Sequence, residues 1–156
     1  MRRQKKVTQH FLQLSKEHVI IWEHVDKLEK TLQAQPATGA VLELIEALCE
    51  DMAEHFAIEE EVLFPAALMG LSDLDVVDDV LTLSKEHGYF EHDFAHLREQ
   101  LAGMDAAPPL PQEDSVRISH ILLSFRQHAR LETESLFRQM DESRECGKIL
   151  KGLIVN

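Results

Sequence analysis

The sequence predicts an all-α protein, an up-down-up-down antiparallel four-helix bundle with a short C-terminal helix. Apolar residues recur at helical spacing along almost the whole chain, and strand-like alternation is absent. Glycine and proline, which interrupt helices, number only 6 and 5 among 156 residues. We expect one domain over residues 1–156, with its core at about 7–142, an N-terminal tail at 1–6 and a C-terminal tail at 143–156.

Helix one is predicted from Val7 to about residue 35. Its apolar residues fall on one stripe, and His18 lies in the middle of that stripe. The sequence Gln-Pro-Ala-Thr-Gly ends this helix, and Thr38 is a possible cap for the next one. We expect the basic residues within the first six positions to form a solvated tail rather than the start of a signal peptide, because no uninterrupted apolar segment follows them.

Helix two is predicted from about Ala40 to Met69, with His55 in its apolar stripe and Gly70 as its stop. Pro65 lies inside this range and lacks the backbone N–H that a helix needs. We therefore expect a kink or an early last turn at Pro65.

Helix three is predicted from the cap Ser72-Asp73 to about Ala102, with His87 on its apolar stripe. A proline-rich loop follows. Helix four is predicted from roughly Glu113 to Glu142, with its apolar residues around His128. The segment from Cys146 to Val155 is apolar enough to form a short helix that packs on the bundle.

Two histidine-containing motifs occur twice. The segments that begin at His55 and at His128 both read H-x-x-x-E-x-E-x-L-F, and the pentapeptide Leu-Ser-Lys-Glu-His ends once at His18 and once at His87. Four helical residues advance the chain by about 6 Å and leave the first and last side chains about 40° apart around the axis. Each H-x-x-x-E pair can therefore chelate one metal ion from a single helix face.

Overlaying the two halves predicts a two-fold pseudo-symmetric site for two metal ions. A single histidine in a helical core is usually hydrogen-bonded, but four of them at matching heights are better explained as inward-facing ligands. The predicted terminal nitrogen ligands are His18, His55, His87 and His128, and the predicted bridging carboxylates are Glu59 and Glu132. This set leaves coordination positions for a bridging oxygen and for water or a diatomic gas.

Other polar residues of the helices fit this set less well. Glu91 comes one turn after His87 on the face expected to point inward, so it could be a seventh ligand, a partner of a ligating histidine or half of a salt bridge. His92 and His96 have chelating spacing but lie on another face of helix three, so we expect them not to bind metal. Three further residues are expected to be solvated, namely Glu60, Glu61 and Glu134.

Charge and cysteine content limit the other partners. The 16 basic and 28 acidic residues give a net charge of −12, which argues against binding to nucleic acid. The absence of a run of about 20 apolar residues predicts no membrane span. Cys49 and Cys146 form no C-x-x-C motif and no obvious pair, which suits a reducing cytoplasm.

From about Phe11 to Met140 the chain resembles the hemerythrin-like, or HHE cation-binding, domains. The resemblance rests on His18, the His55-x-x-x-Glu59 pair followed by Leu63-Phe64-Pro65, His87, and the His128-x-x-x-Glu132 pair. It implies a non-haem di-iron centre in a four-helix bundle, bridged by an oxo or hydroxo group and two carboxylates, that meets O2, NO or peroxide.

Two positions differ from the oxygen-carrying members of that family. Those members have H-x-x-x-H on the third helix and H-x-x-x-x-D on the fourth, whereas here position 91 is Glu, position 133 is Thr and the carboxylate is Glu132. The pattern is more similar to iron-sulfur-cluster-repair di-iron proteins and other bacterial HHE domains. Additional carboxylate donation favours the ferric state, which works against stable reversible O2 binding.

The leading hypothesis is a cytoplasmic protein with two iron ions that binds or reacts with O2, NO or peroxide as a sensor, scavenger or store. Manganese or zinc could substitute for iron in this mixed nitrogen and oxygen ligand set. The alternative is a di-iron enzyme for nitric oxide reduction or iron-sulfur cluster repair, and a third hypothesis is a metal-free helical interaction module. The sequence identifies neither the electron donor nor the oligomeric state.

Overall fold

The computed structural model describes the backbone of residues 4–154 and the side chains of residues 18–152. Every regular element in that part of the chain is helical, which confirms the all-α prediction. The helical rods are α1, Gln4–Gln33; α2, which runs without a break through Thr38–Ile58, the π-helical segment Glu59–Leu63 and Phe64–Gly70; α3, Leu74–Ala102; α4, which runs through Gln112–Leu131, the π-helical segment Glu132–Phe137 and Arg138–Glu142; and α5, Arg144–Ile154.

Helix α1 begins earlier than predicted, at Gln4 rather than Val7. The side chains of the predicted solvated tail, residues 1–6, lie outside the described residues, and so does Val155 at the end of the predicted C-terminal helix. No helix in the described part of the chain combines the length and the apolar character needed to cross a lipid bilayer.

The two predicted helix caps had different outcomes. Asp73 caps α3, because its side chain accepts a hydrogen bond from the backbone N–H of Asp75 at 3.0 Å. The prediction for Thr38 was wrong, because Ala37 precedes the first turn and the Thr38 hydroxyl donates instead to the Pro108 carbonyl at 3.1 Å. The loop between α3 and α4 folds back over this turn and supplies that acceptor.

Helix α2 continues past Pro65 to Gly70, so the early last turn does not occur, and the alternative expectation of a kink stays a prediction. The irregularity lies before the proline, where the N–H of Phe64 donates to the carbonyl of Glu59, five residues back. The same kind of segment occurs in α4, although the residue equivalent to Pro65 there is Arg138. Proline is therefore not the cause of these π-helical segments.

The core consists of two apolar clusters separated by a polar layer. One cluster joins α1, α2, α3 and α4 through residues such as Val25, Ile45 and Phe94. The other joins the far ends of α2, α3 and α4 to α5 through residues such as Leu83 and Leu136. On α2, α3 and α4 the predicted ligands lie in sequence between the residues of these clusters, so the polar layer is sealed on both sides.

The short helix α5 packs on the bundle, as predicted. Its residues Cys146 and Leu150 are buried, and Gly70 at the end of α2 lets α5 approach closely. A Cβ atom added at Gly70 would lie 2.6 Å from the Cys146 Sγ and 2.8 Å from the Cys146 backbone nitrogen. Only a residue without a side chain fits there unless α5 moves.

Replacing Gly70 with alanine should therefore lower the free energy of unfolding by about 1–3 kcal/mol, the usual cost of overpacking. Gly147→Ala is the matched control, because nothing lies within 4 Å of its added Cβ, and it should stabilise α5 by about 0.5–1 kcal/mol. Urea unfolding followed by circular dichroism measures both changes. Equal midpoints for Gly70→Ala and the wild-type protein would contradict the close packing of α5.

Candidate metal centre

Each of the four long helices contributes to the polar layer. Helix α1 contributes His18, α2 contributes His55 and Glu59, α3 contributes His87, and α4 contributes His128 and Glu132. All are at most 2% exposed except His18, whose side chain is 15% exposed. Six ionisable groups thus meet in a nearly water-free part of the core, where each needs a partner.

The first cluster of metal-ligating groups consists of His18, His55, Glu59 and Glu132, with one donor atom of each lying within 4.8 Å of the others. The Nε2 atoms of His18 and His55 are 2.7 Å apart. Oε1 of Glu59 lies 2.5 Å from Nε2 of His55 and 3.7 Å from Nε2 of His18. These ring nitrogens and carboxylate oxygens converge on one small volume.

The second cluster consists of His87, His128, Glu59 and Glu132, again within 4.8 Å. The Nε2 atoms of the two histidines are 3.1 Å apart, Oε2 of Glu59 lies 3.0 Å from Nε2 of His87, and Oε1 of Glu132 contacts Nε2 of His128. Both carboxylates belong to both clusters, and Glu59 turns one oxygen toward each. This is the arrangement that two bridging carboxylates require, although metal ligation itself stays a prediction.

The buried carboxylates have oxygens without hydrogen-bond partners, and this indicates that the residues fit metal ions. Both oxygens of Glu59 and Oε2 of Glu132 are buried without a hydrogen-bond partner within the described residues. Ligand atoms about 2.1 Å from one ion and at right angles to each other are about 3 Å apart, close to the spacings found here. The donor set therefore suits metal cations better than a hydrogen-bonded network.

The ionisable groups of the site shift one another's pKa values. Burial raises the pKa of Glu59, but the ring nitrogens of His18, His55 and His87 outweigh it and hold this pKa well below its usual range. Burial and the neighbouring negative charge of Glu59 raise the pKa of Glu132. Burial lowers the pKa of His87, but Glu132 and Glu59 outweigh it and raise it to about 10. Without metal, the two carboxylates therefore favour the charged form of His87.

Two of the clustered histidines have carboxylate partners on their outer side. Nδ1 of His87 donates to Oε1 of Glu60 at 3.0 Å, and Nδ1 of His128 donates to Oε2 of Glu86 at 2.7 Å. A carboxylate can only accept, so the proton resides on Nδ1 and Nε2 is the atom available to a metal. These partners hold both rings with Nε2 pointing into the site.

Both outer partners were missed in the sequence. Glu60 was expected to be solvated, yet its half-exposed side chain reaches His87. The sequence did draw attention to Glu86, because the repeated Leu-Ser-Lys-Glu-His places a glutamate directly before a predicted ligand histidine in each half. The other two glutamates expected to be solvated, Glu61 and Glu134, are exposed as predicted.

Glu91 does not join the six residues. Its expected inward orientation was wrong, because the side chain is exposed and lies in neither cluster. At about 100° per residue, Glu91 turns to one side of His87, whereas Phe90 and Phe94 turn to the other and take the buried positions. A ligand role for Glu91 stays an untested prediction. His92 and His96 are exposed as well.

Glu91 instead lines a cavity of about 210 Å³ between α2 and α3. The inner wall of this cavity includes Phe56 and Phe90. The Phe56 ring stacks on His87 with a centroid distance of 3.9 Å, and Phe90 meets the His128 ring edge-on at 5.3 Å. One layer of aromatic rings thus separates the cavity from the imidazoles of His87 and His128.

The π-helical segments were also missed in the sequence. They begin at Glu59 and at Glu132, the two carboxylates shared by the clusters. Such segments are frequent at functional sites, because the extra residue in the turn changes the direction of neighbouring side chains. The H-x-x-x-E spacing carries no sign of them, because the helix remains regular up to the residue before each glutamate.

Comparison with known proteins identified one family. The sequence model of the Hemerythrin HHE cation binding domain matches residues 10–140, most of the chain and all six clustered residues. Searches of curated proteins and of solved structures gave no significant match.

Proposed function

Because the chain belongs to the hemerythrin HHE cation-binding domain family, we propose that it is a cytoplasmic di-iron protein that binds or reacts with O2, NO or peroxide. The observation that carries the proposal is the pair of buried four-residue clusters that share Glu59 and Glu132. The two free cysteines, Cys49 and Cys146, support a reducing compartment.

Charge balance supports a pair of divalent ions in this site. Two such ions with the carboxylates of Glu59 and Glu132 leave a charge of about +2, which a bridging hydroxide lowers further. A buried site near neutrality avoids the desolvation cost of uncompensated charge. The mixed imidazole and carboxylate set suits iron, and manganese or zinc could occupy the same positions.

Iron in this site would supply the electrons that a small oxidant takes up. The protein residues orient the site and shield it from water. Glu60 and Glu86 orient the rings of His87 and His128, while Phe56 and Phe90 cover those rings. The neighbouring cavity lies behind those phenyl rings and is large enough for a diatomic gas. These features favour a small uncharged oxidant over a bulky organic substrate.

The test is reconstitution with ferrous iron without oxygen, followed by measurement of iron content and of the visible spectrum as O2 or NO is admitted. We expect about two irons per chain, as in bundles with paired ligand sets, and new absorption bands with the gas. An adduct that reverses on degassing would identify a sensor or store, and irreversible decay would identify a scavenger. Sustained consumption of NO with a reductant would establish the alternative, a nitric oxide reducing enzyme. No stoichiometric iron and no spectral change would refute the di-iron proposal.

A further inference from the structure

His18 and His87, the two clustered histidines that do not belong to an H-x-x-x-E pair, have different surroundings. Overlaying the halves places His18 on His87, and it also places Ala129 on Phe56 and Thr133 on Glu60. The residues that surround His87 therefore have smaller or shorter counterparts beside His18.

His87 is held on three sides. Phe56 stacks on its ring at a centroid distance of 3.9 Å with 13° between the planes, and Phe64 stacks at 5.5 Å. Nδ1 donates to Glu60 at 3.0 Å, and the side chain is only 1% exposed. The ring can neither turn nor reach water without breaking these contacts.

His18 is held less firmly. Phe137 stacks on its ring at 6.0 Å, the position equivalent to Phe56 holds an alanine, and the side chain is 15% exposed. Thr133, the counterpart of Glu60, is exposed, and among the described side chains no carboxylate contacts Nδ1 of His18. This histidine can therefore leave a bound ion more easily than His87 can.

We infer that the two metal positions are unequal: the position at His87 and His128 binds first and tightly, and the position at His18 and His55 binds second and exchanges its ion. The inference rests on the proposed metal binding. Its physical basis is that an acceptor on Nδ1 raises the basicity of the imidazole and fixes its direction, and losing such a partner typically weakens metal binding about 10- to 100-fold.

The test is an oxygen-free titration of the metal-free protein with Co²⁺ alone, followed by its visible absorption. We expect two phases whose dissociation constants differ by at least about 10-fold. His18→Ala should retain the tighter phase and His87→Ala only the weaker one, with far-UV circular dichroism confirming that both variants are folded. Two equal phases in the wild-type protein, or the opposite assignment, would overturn the inference.

A reciprocal exchange tests the cause of the difference. Glu60→Thr should weaken the tighter phase about 10- to 100-fold, and Thr133→Glu should strengthen the weaker phase by supplying the missing acceptor. Glu61→Thr is the matched control, because it makes the same change at an adjacent exposed glutamate. If Glu60→Thr alters the weaker phase instead, or no more than Glu61→Thr does, Glu60 is not the cause.

The outcome is separable from that of the proposed function. Two irons bound with equal affinity and still reactive toward O2 or NO would overturn the inequality and leave the di-iron proposal intact. Failure to bind either Co²⁺ or iron would overturn both.

Discussion

Replacing both His55 and His128 with alanine should abolish stoichiometric metal binding, and each single change should empty the position that its histidine serves. Each residue is only 2% exposed and places its Nε2 beside a carboxylate shared by both clusters. Removing a ligand should cost more than removing its outer partner, so we expect a loss of affinity above about 100-fold at that position. Metal content after dialysis, measured by elemental analysis, reports the effect.

The control for this prediction is His92→Ala. His92 is exposed and belongs to neither cluster, so its removal should leave the metal content unchanged. Retention of two ions by the His55→Ala, His128→Ala double variant would show that the clusters are not the metal site. In that case the ions bind elsewhere on the chain. A wild-type protein that stays folded and takes up no metal is the result that would favour the metal-free interaction module.

The convergence of the six residues could be predicted because it depends on few structural variables. A separation of four residues fixes the relative direction of His55 and Glu59 as long as the intervening helix is regular, and it is regular up to Ile58. Four helices with a histidine near the middle of each apolar stripe can bury those histidines only by placing them at the same level.

The features that sequence patterns did not predict depend on rotations and on neighbouring chain segments. The rotation of α3 about its axis decides whether Glu91 or Phe90 faces the core. The packing of Phe90 and Phe94 sets that rotation. Glu60 reaches a histidine on another helix, so no spacing within α2 could reveal that contact. Likewise, the Thr38 hydroxyl does not cap its helix because it donates to the carbonyl of Pro108, which lies in a loop 70 residues away in sequence.

Removing the metal should lower the stability of the protein more than any single surface substitution. In the metal-free state Glu59 and Glu132 stay buried, and three of their four oxygens lack hydrogen-bond partners within the described residues. A ligand that binds only the folded chain stabilises it by about 2.7 kcal/mol when its free concentration is 100 times its dissociation constant. Two ions at that concentration would add about 5 kcal/mol, compared with about 5–15 kcal/mol for a whole domain.

For a domain of this size, that stabilisation corresponds to a melting temperature about 10–20 °C higher in the metal-loaded protein than in the chelated protein. Thermal unfolding followed by circular dichroism, without oxygen, measures the difference. The His55→Ala, His128→Ala double variant is the matched control: its melting temperature should not respond to metal, because each cluster has lost one of its two imidazoles. An equal rise in that variant would mean that the ions stabilise the chain elsewhere, and the buried clusters would then be a structural network rather than a metal centre.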